Sequence, residues 1–408
     1  MSKPFVGLSQ RSSPIRFLGL VLLWCFLGLV FLLYTLHNYA MIEQAPTDLN
    51  KLYDFKLFYS SVLDFFNGGK LYQPSATLPF ERVLYSSSNN SPVGALVFVP
   101  LSRLPVTLAG GLWAFFSLLL LLRGIIYIWQ VYRVPQQWHW RIALLLLIYV
   151  SFPVVDTIQL GSWGMIIAFF DFAVWYYARK GSEKRAGILL GLALTIRWQP
   201  FVIFLYFISL QRWRIVVYTV ASAIVAGILA ILVFGVTSYI EFAELVAGFA
   251  GGGGTGAYDG TLRTGLSRFL IFLAGSNSAY ISVFSVVLTL ILLILTLWRC
   301  RSLNFDYAYS LCIVCGLLVT PSTWFHYHMA LLLPLVVVAQ KRWWAAVPTL
   351  FLWLSINLIT NLDFESNPLL FGTLLTISLL VVYGGLYFGP KEKEVNNLRA
   401  KAAGGTPL

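Results

Sequence analysis

The chain has 408 residues, 59% of them apolar, 16% aromatic and only 11% charged; a soluble protein of this size carries roughly a quarter charged residues. Long apolar runs recur from end to end, which excludes a soluble enzyme and makes lipid the solvent for most of the chain. The net charge of +12 is a topology signal rather than a nucleic-acid footprint, because of where the charges fall.

The first apolar run, Phe17 to Leu36, is too long and too poorly flanked for a cleaved signal peptide and reads as a retained span. Eleven further segments follow, near 106–132, 142–156, 160–178, 186–196, 200–210, 215–234, 279–298, 307–320, 328–340, 344–360 and 367–388. With these placed, alternate connections collect 19 basic against 4 acidic residues on one side and 8 against 11 on the other. The basic side is expected to be cytoplasmic and to hold both termini. The reading is an all-α polytopic protein of the plasma membrane with about twelve transmembrane segments. Residues 1–390 form one integral-membrane domain and 391–408 a cytoplasmic tail.

Two long connections lie on the outer face, 37–105 and 235–278. In the first, Tyr53 to Phe66 places Phe55, Phe58, Val62 and Phe66 near one helical face, the pattern of a helix lying on the membrane surface. The second opens helically and breaks at Gly251-Gly-Gly-Gly254-Thr-Gly256. It matches G-x-G-x-x-G in letters but lacks the strand–turn–helix context of a nucleotide loop.

Several segments are too short for a crossing of about 20 residues. Segments 186–196 and 200–210 flank Arg197-Trp-Gln-Pro200, and basic clusters lie at both outer limits, so the chain must return to the side it left. A hairpin with Arg197 at its tip, partway through the bilayer, follows. Segments 142–156 and 307–320 end outward at Asp156 and at Thr320-Pro-Ser-Thr-Trp-Phe-His-Tyr-His328, which contains two of the four histidines. Short helices with polar outer ends imply a wet vestibule dipping in from outside.

Asp54, Asp156, Arg197, Asp259, Arg263, His326 and His328 map to that outer side. A carboxylate, an arginine and a histidine in one cavity are able to deprotonate a hydroxyl and hold a phosphate. Each residue also has a structural reading. Asp54 suits a helix start, Arg197 a pin to backbone carbonyls, His326 a buried hydrogen-bonded ring and His328 packing. Arg123 and Asp171 suit an ion pair between helices, and Cys312-x-x-Cys315 suits small apolar helix positions.

Four stretches in order resemble glycosyltransferase family 87, polytopic enzymes of the GT-C class. In "YDFKLFYSSVLDFFNGGKLY", Asp54, Phe55, Phe58, Tyr59, Gly69, Leu71 and Tyr72 follow the family pattern. "NNSPVGALVFVPLSRLP" is similar to its proline-rich stretch, with Ser91-Pro92 in place of a proline pair. "AGILLGLALTIRWQP" puts Arg197 at the family's lysine, and "TPSTWFHYH" puts His326 on its first histidine. Two departures stand out. The family's G-Q-x-N becomes Gly161-Ser-Trp-Gly164, and its N-Q-S-L becomes Asp259-Gly-Thr-Leu262.

The resemblance implies a GT-C fold and an inverting transfer of a sugar, mannose by analogy, from a polyprenyl-phosphate donor to a lipid or glycolipid hydroxyl on the outer face. It makes Asp54 the general base and His326 its catalytic partner. Arg197 and Arg263 then hold the donor phosphate, while Tyr59, Asp156, Asp259, Trp324 and His328 contact the acceptor or sugar. This set requires no cofactor, and a divalent metal carried by the phosphate is compatible with it. The competing class is a secondary transporter or flippase of a lipid-linked anion. Against that class, no duplicated halves with matching broken helices are visible.

Overall fold

The computed structural model describes residues 14–44, 51–72, 90–132, 138–251, 279–320, 323–359 and 368–390. Among them the chain is helical, without a strand element. In order come α1 (Pro14–Glu43), α2 (Tyr53–Phe66), α3 (Pro92–Leu96), α4 (Phe98–Leu101), α5 (Val106–Tyr132), α6 (Trp138–Tyr149) and α7 (Phe152–Leu160). Then come α8 (Gly164–Arg179), α9 (Glu183–Ile196), α10 (Phe201–Ser209), α11 (Trp213–Phe234), α12 (Thr237–Gly251), α13 (Ala279–Cys300) and α14 (Phe305–Val319). A 3-10 segment, Phe325–Leu331, leads into α15 (Leu332–Arg342), and α16 (Val347–Ile359) and α17 (Pro368–Tyr387) follow.

This is an all-helical membrane protein, but its helices do not all count as crossings. Among the described residues, α5 and α11 are by length and composition long and apolar enough to span a bilayer, or up to four spans if each bent pair is one. The first bent pair is α6 with α7, at 53°; the second joins Phe325–Ala345 to the start of α16, at 102°. By this measure the described helices account for two to four of the twelve expected crossings, and the others are shorter apolar helices or lie partly outside the described residues.

The chain reverses at Arg197. The α9 helix carries Gly187 and Gly191 one turn apart, and a β-carbon on either would collide with the α11 backbone at Ile215 and Thr219. This small-x-x-x-small spacing lets two helices pack along their length where lipid supplies no hydrophobic drive between them. Because α11 lies beside α9 from its first turn, α10 must carry the chain back. Arg212, just before α11, accordingly pairs with Glu183 at the start of α9 at 3.0 Å and donates to the Ala178 carbonyl. Arg197 sits at the far end of this hairpin, as the sequence predicts.

Two polar ends result. At one, Arg179 bridges to Asp306, which also accepts from Trp175 Nε1 at 3.0 Å. At the other, the ends of α1 and α7, the start of α2 and the 3-10 segment converge. Between them α14 is buried from Asp306 to Leu318, and the outer flank of α11 leaves Ile224, Ile228 and Leu232 more than half exposed, as a lipid-facing surface does.

Two expectations fail. The α2 helix has the expected bounds, but its apolar face is turned into the protein rather than onto a membrane surface. Phe55, Phe58 and Val62 are 0%, 2% and 0% exposed, against α4, α5 and α7, and only Phe66 of the expected face stays exposed, at 39%. Arg123 and Asp171 do not pair. Arg123 lies over the Tyr127 ring at 4.8 Å on the exposed flank of α5, whereas Asp171 faces inward on α8 and its carbonyl accepts from Tyr309.

Candidate active site

A left-handed residue starts α2: Leu52 has φ 51°, and its amide donates to the Gln159 carbonyl at the end of α7 at 2.7 Å. Asp54 then falls in the first helical turn, where backbone N–H groups favour a negative charge. Phe55 fixes its azimuth. That ring packs among Phe98, Trp113 and Tyr59 with centroids 5.8 to 6.4 Å away, and its β-carbon rests on Gly161, where φ is 67° and an added side chain would collide. Trp113 Nε1 donates to the Gly161 carbonyl at 2.8 Å and closes the collar.

His326 is held from the other side. Its backbone carbonyl presses on Gly164, at the start of α8, leaving no room there for a β-carbon. Its neighbour Phe325 packs edge-on against Phe152 of α7 at 4.8 Å. His326 Nδ1 lies 3.3 Å from Asp156 Oδ2 on α7, the ring 3% and the carboxyl 20% exposed. The turn Gly161-Ser-Trp-Gly164 thus touches α2 with one glycine and the histidine segment with the other. These two contacts are not legible in the sequence, where the stretch shows only the loss of two amides.

Arg197 enters from the α9–α10 hairpin in extended conformation, with its guanidinium over the Tyr327 ring at 5.4 Å. The hairpin tip is anchored on two sides. Ser91 donates to the Thr195 carbonyl, and the Gln199 carbonyl lies against Gly316 of α14.

These four groups act on one another. Burial raises the Asp54 carboxyl above the ordinary carboxylate range; His326 and then Arg197 pull it down, and Asp156 pushes it up. Yet Asp54, Asp156 and Arg197 each keep part of their surface exposed. The site is therefore a mostly buried cluster of charged and polar groups that keeps some contact with solvent. Chemically it offers a proton acceptor of raised basicity opposite a guanidinium and an imidazole, the elements needed to ionise a hydroxyl beside a bound anion.

The remaining expected residues divide. Trp324 is 38% exposed beside the histidine segment. The Tyr59 hydroxyl donates to the Leu104 carbonyl at 2.8 Å. His328 is fully enclosed and stacks on Phe325 at 4.9 Å. Asp259 and Arg263 lie outside the described residues. Among the described residues, no three His, Cys, Asp or Glu side chains gather as they would around a metal ion.

Fold and site together define a helical membrane protein with two carboxylates, an arginine and a histidine gathered at one end. Residues 90–321 match the profile of glycosyltransferase family 87, and the chain belongs to that family. The matched stretch contains Asp156 and Arg197, begins after Asp54 and ends five residues before His326. The chain is also 28% identical over 253 residues to the polyprenol-phosphate-mannose-dependent alpha-(1-2)-phosphatidylinositol pentamannoside mannosyltransferase of Mycolicibacterium smegmatis (strain ATCC 700084 / mc(2)155). That alignment covers 60% of this chain and 59% of the relative, so the chain spans less than two thirds of the relative's length. No solved structure matches the chain.

Proposed function

We propose that this glycosyltransferase moves a sugar, mannose in the first instance, from a polyprenyl-phosphate donor to a hydroxyl of a lipid or glycolipid acceptor. The transfer inverts the anomeric centre and takes place at the outer face of the cell membrane, within a GT-C arrangement of about twelve membrane segments with both termini inside. The observation that carries this reading is that Arg197 and His326 both lie close enough to Asp54 to act on its charge, with Asp54 and Arg197 still partly exposed.

Asp54 accepts the proton of the acceptor hydroxyl as its oxygen bonds to the anomeric carbon. The bond from that carbon to the phosphate oxygen breaks at the same centre, and its electron pair leaves on the prenyl monophosphate. The leaving group gains negative charge, which calls for stabilisation more than for protonation. Arg197 offers a planar fork for two phosphate oxygens. His326, kept in place by Asp156 on Nδ1, presents its other ring nitrogen. The set of side chains supplies base and phosphate contacts without a metal ion.

A lipid-linked donor also needs a seat for its tail. A cavity of about 430 Å³ is lined by Leu194, Ile196, Trp198, Ile224 and Ile228 among others, so it touches the residues on either side of Arg197 though not Arg197 itself. Ile224 and Ile228 are 55% and 52% exposed, so this cavity borders the surface that lipid would cover. A prenyl chain entering sideways there delivers its phosphate at the level of Arg197.

The test is to incubate purified protein with labelled polyprenyl-phosphate mannose, glucose or other sugars and a membrane lipid extract, and to identify products by mass. Addition of one hexose to a lipid supports the reading. Absence of any product with every donor, together with movement of intact donor across vesicle bilayers, would replace it with a flippase.

A further inference from the structure

The opposite end of the molecule carries a second charged feature that the proposed reaction does not use. Arg123 lies within α5, nine residues before its end at Tyr132, or about 13 Å along the axis. It is exposed and shares a flank with Phe116 and Leu119, which are 54% and 44% exposed. Its guanidinium extends toward the helix end and rests over Tyr127 at 4.8 Å.

Tyr127 belongs to a three-ring platform between α5 and α8. It stacks on Tyr176 at 4.5 Å and meets Tyr177 hydroxyl to hydroxyl at 3.1 Å. Two further cations stand on the same platform, Lys180 over Tyr176 at 5.8 Å and Arg185 over Tyr177 at 5.4 Å. Arg123 and Arg185 both lie within electrostatic reach of the Tyr177 hydroxyl. The ion pairs Lys70–Glu241, Arg179–Asp306, Arg212–Glu183 and His326–Asp156 among the described residues do not take in these three cations.

An arginine on a lipid-facing flank normally needs a counter-charge or a route to the headgroups. A 27-residue helix is about 40 Å long against a hydrocarbon core of about 30 Å. About 5 Å therefore overhangs at each end, and the Arg123 backbone sits roughly 8 Å below the headgroups, within reach of a snorkelling side chain. There it meets two more cations on rigid aromatic supports. Lys180 and Arg185 count among the charges that set topology, but topology does not require them to converge with Arg123 on one aromatic support.

We infer that this tyrosine-supported triad binds the phosphate headgroup of an anionic phospholipid in the leaflet opposite the candidate active site. Charge complementarity selects the headgroup, and the adjoining Phe116–Leu119 flank accepts its acyl chains. The inference is independent of the glycosyl-transfer reading.

Native mass spectrometry of the purified full-length chain tests it, with phosphatidylglycerol or phosphatidylcholine added. Phosphatidylglycerol adducts are expected to persist on the wild type and phosphatidylcholine adducts to be lost. With each cation near the surface worth about fivefold in affinity, the double variant Arg123→Gln/Arg185→Gln should bind about thirtyfold more weakly. Arg185→Gln alone, at an exposed helix start, should lose about fivefold and covers the case in which the double variant does not fold. Arg214→Gln, exposed at the same end but without an aromatic platform, should bind as the wild type does. Equal retention of both lipids, or equal losses in Arg185→Gln and Arg214→Gln, would overturn the proposal. Displacement of the lipid by millimolar inorganic phosphate would overturn it in favour of a soluble-anion site.

Discussion

The backbone of Gly164 lies against the carbonyl of His326, with Thr157 Oγ1 closing the remaining space, so no β-carbon fits between the start of α8 and the histidine segment. Gly164→Ala should therefore push His326 away from Asp156 rather than unfold the helix. A misplacement of about 1 Å at such a site costs on the order of a hundredfold in rate. Turnover measured on the monodisperse variant checks this; wild-type turnover would show that the histidine segment is free to move.

Asp54→Asn should abolish sugar transfer while leaving donor binding in place, because the amide keeps the shape and loses the basicity. Steady-state transfer and donor binding, measured on the same preparation, separate the two effects. Retained turnover would remove Asp54 from its proposed role.

The raised pKa of Asp54 fixes the sign of two pH effects. As a base it must be ionised, so the acid limb of the rate profile should lie above the ordinary carboxylate value of about 4. In stability the effect runs the other way. A folded pKa above the unfolded one means that wild type loses stability relative to Asp54→Asn as pH rises from the unfolded through the folded value, and the gap is constant beyond. Thermal unfolding of both proteins from pH 4 to 8 reads this directly, and a wild type that gains on the variant over that range would contradict it.

Arg197→Ala should raise the donor's Kd and lower the transfer rate, and Arg197→Lys should recover only part of the loss, since a lysine supplies charge without the fork. Loss of one preorganised contact of this kind commonly costs about 3–4 kcal/mol in the transition state. Unchanged donor affinity in the alanine variant would count against the phosphate assignment.

Sidedness is open to thiol labelling in sealed vesicles. Cysteines introduced at 54 and 326 should react from outside, and one at 184 should not. The reverse pattern would invert the topology.

Much of this arrangement is legible in the sequence because charge and length are strong signals in a membrane chain. Two short apolar segments between basic flanks can only be a hairpin, and Arg197 is at its tip. The bounds of α2 are legible from its periodicity, but not its surroundings. A half-apolar helix looks the same whether its face meets lipid or the rings of Phe98 and Trp113. The Arg123–Asp171 expectation rested on matching depth alone. Gly124 brings α5 close to Phe172 of α8, yet the two charged side chains leave their helices in different directions. Glycines hide most. Gly161 and Gly164 look like lost polar groups in a string of letters, and only packing shows that they set the spacing between Asp54 and His326.

The most direct measurement is a cryo-EM map of the protein with a non-transferable polyprenyl-phosphate sugar bound in a nanodisc. Phosphate oxygens are expected at about 3 Å from the Arg197 guanidinium, the prenyl chain in the cavity beside Leu194 and Ile224, and the anomeric carbon facing Asp54. A ligand bound elsewhere, or packed side chains filling the space between Asp54 and Arg197, would contradict this placement.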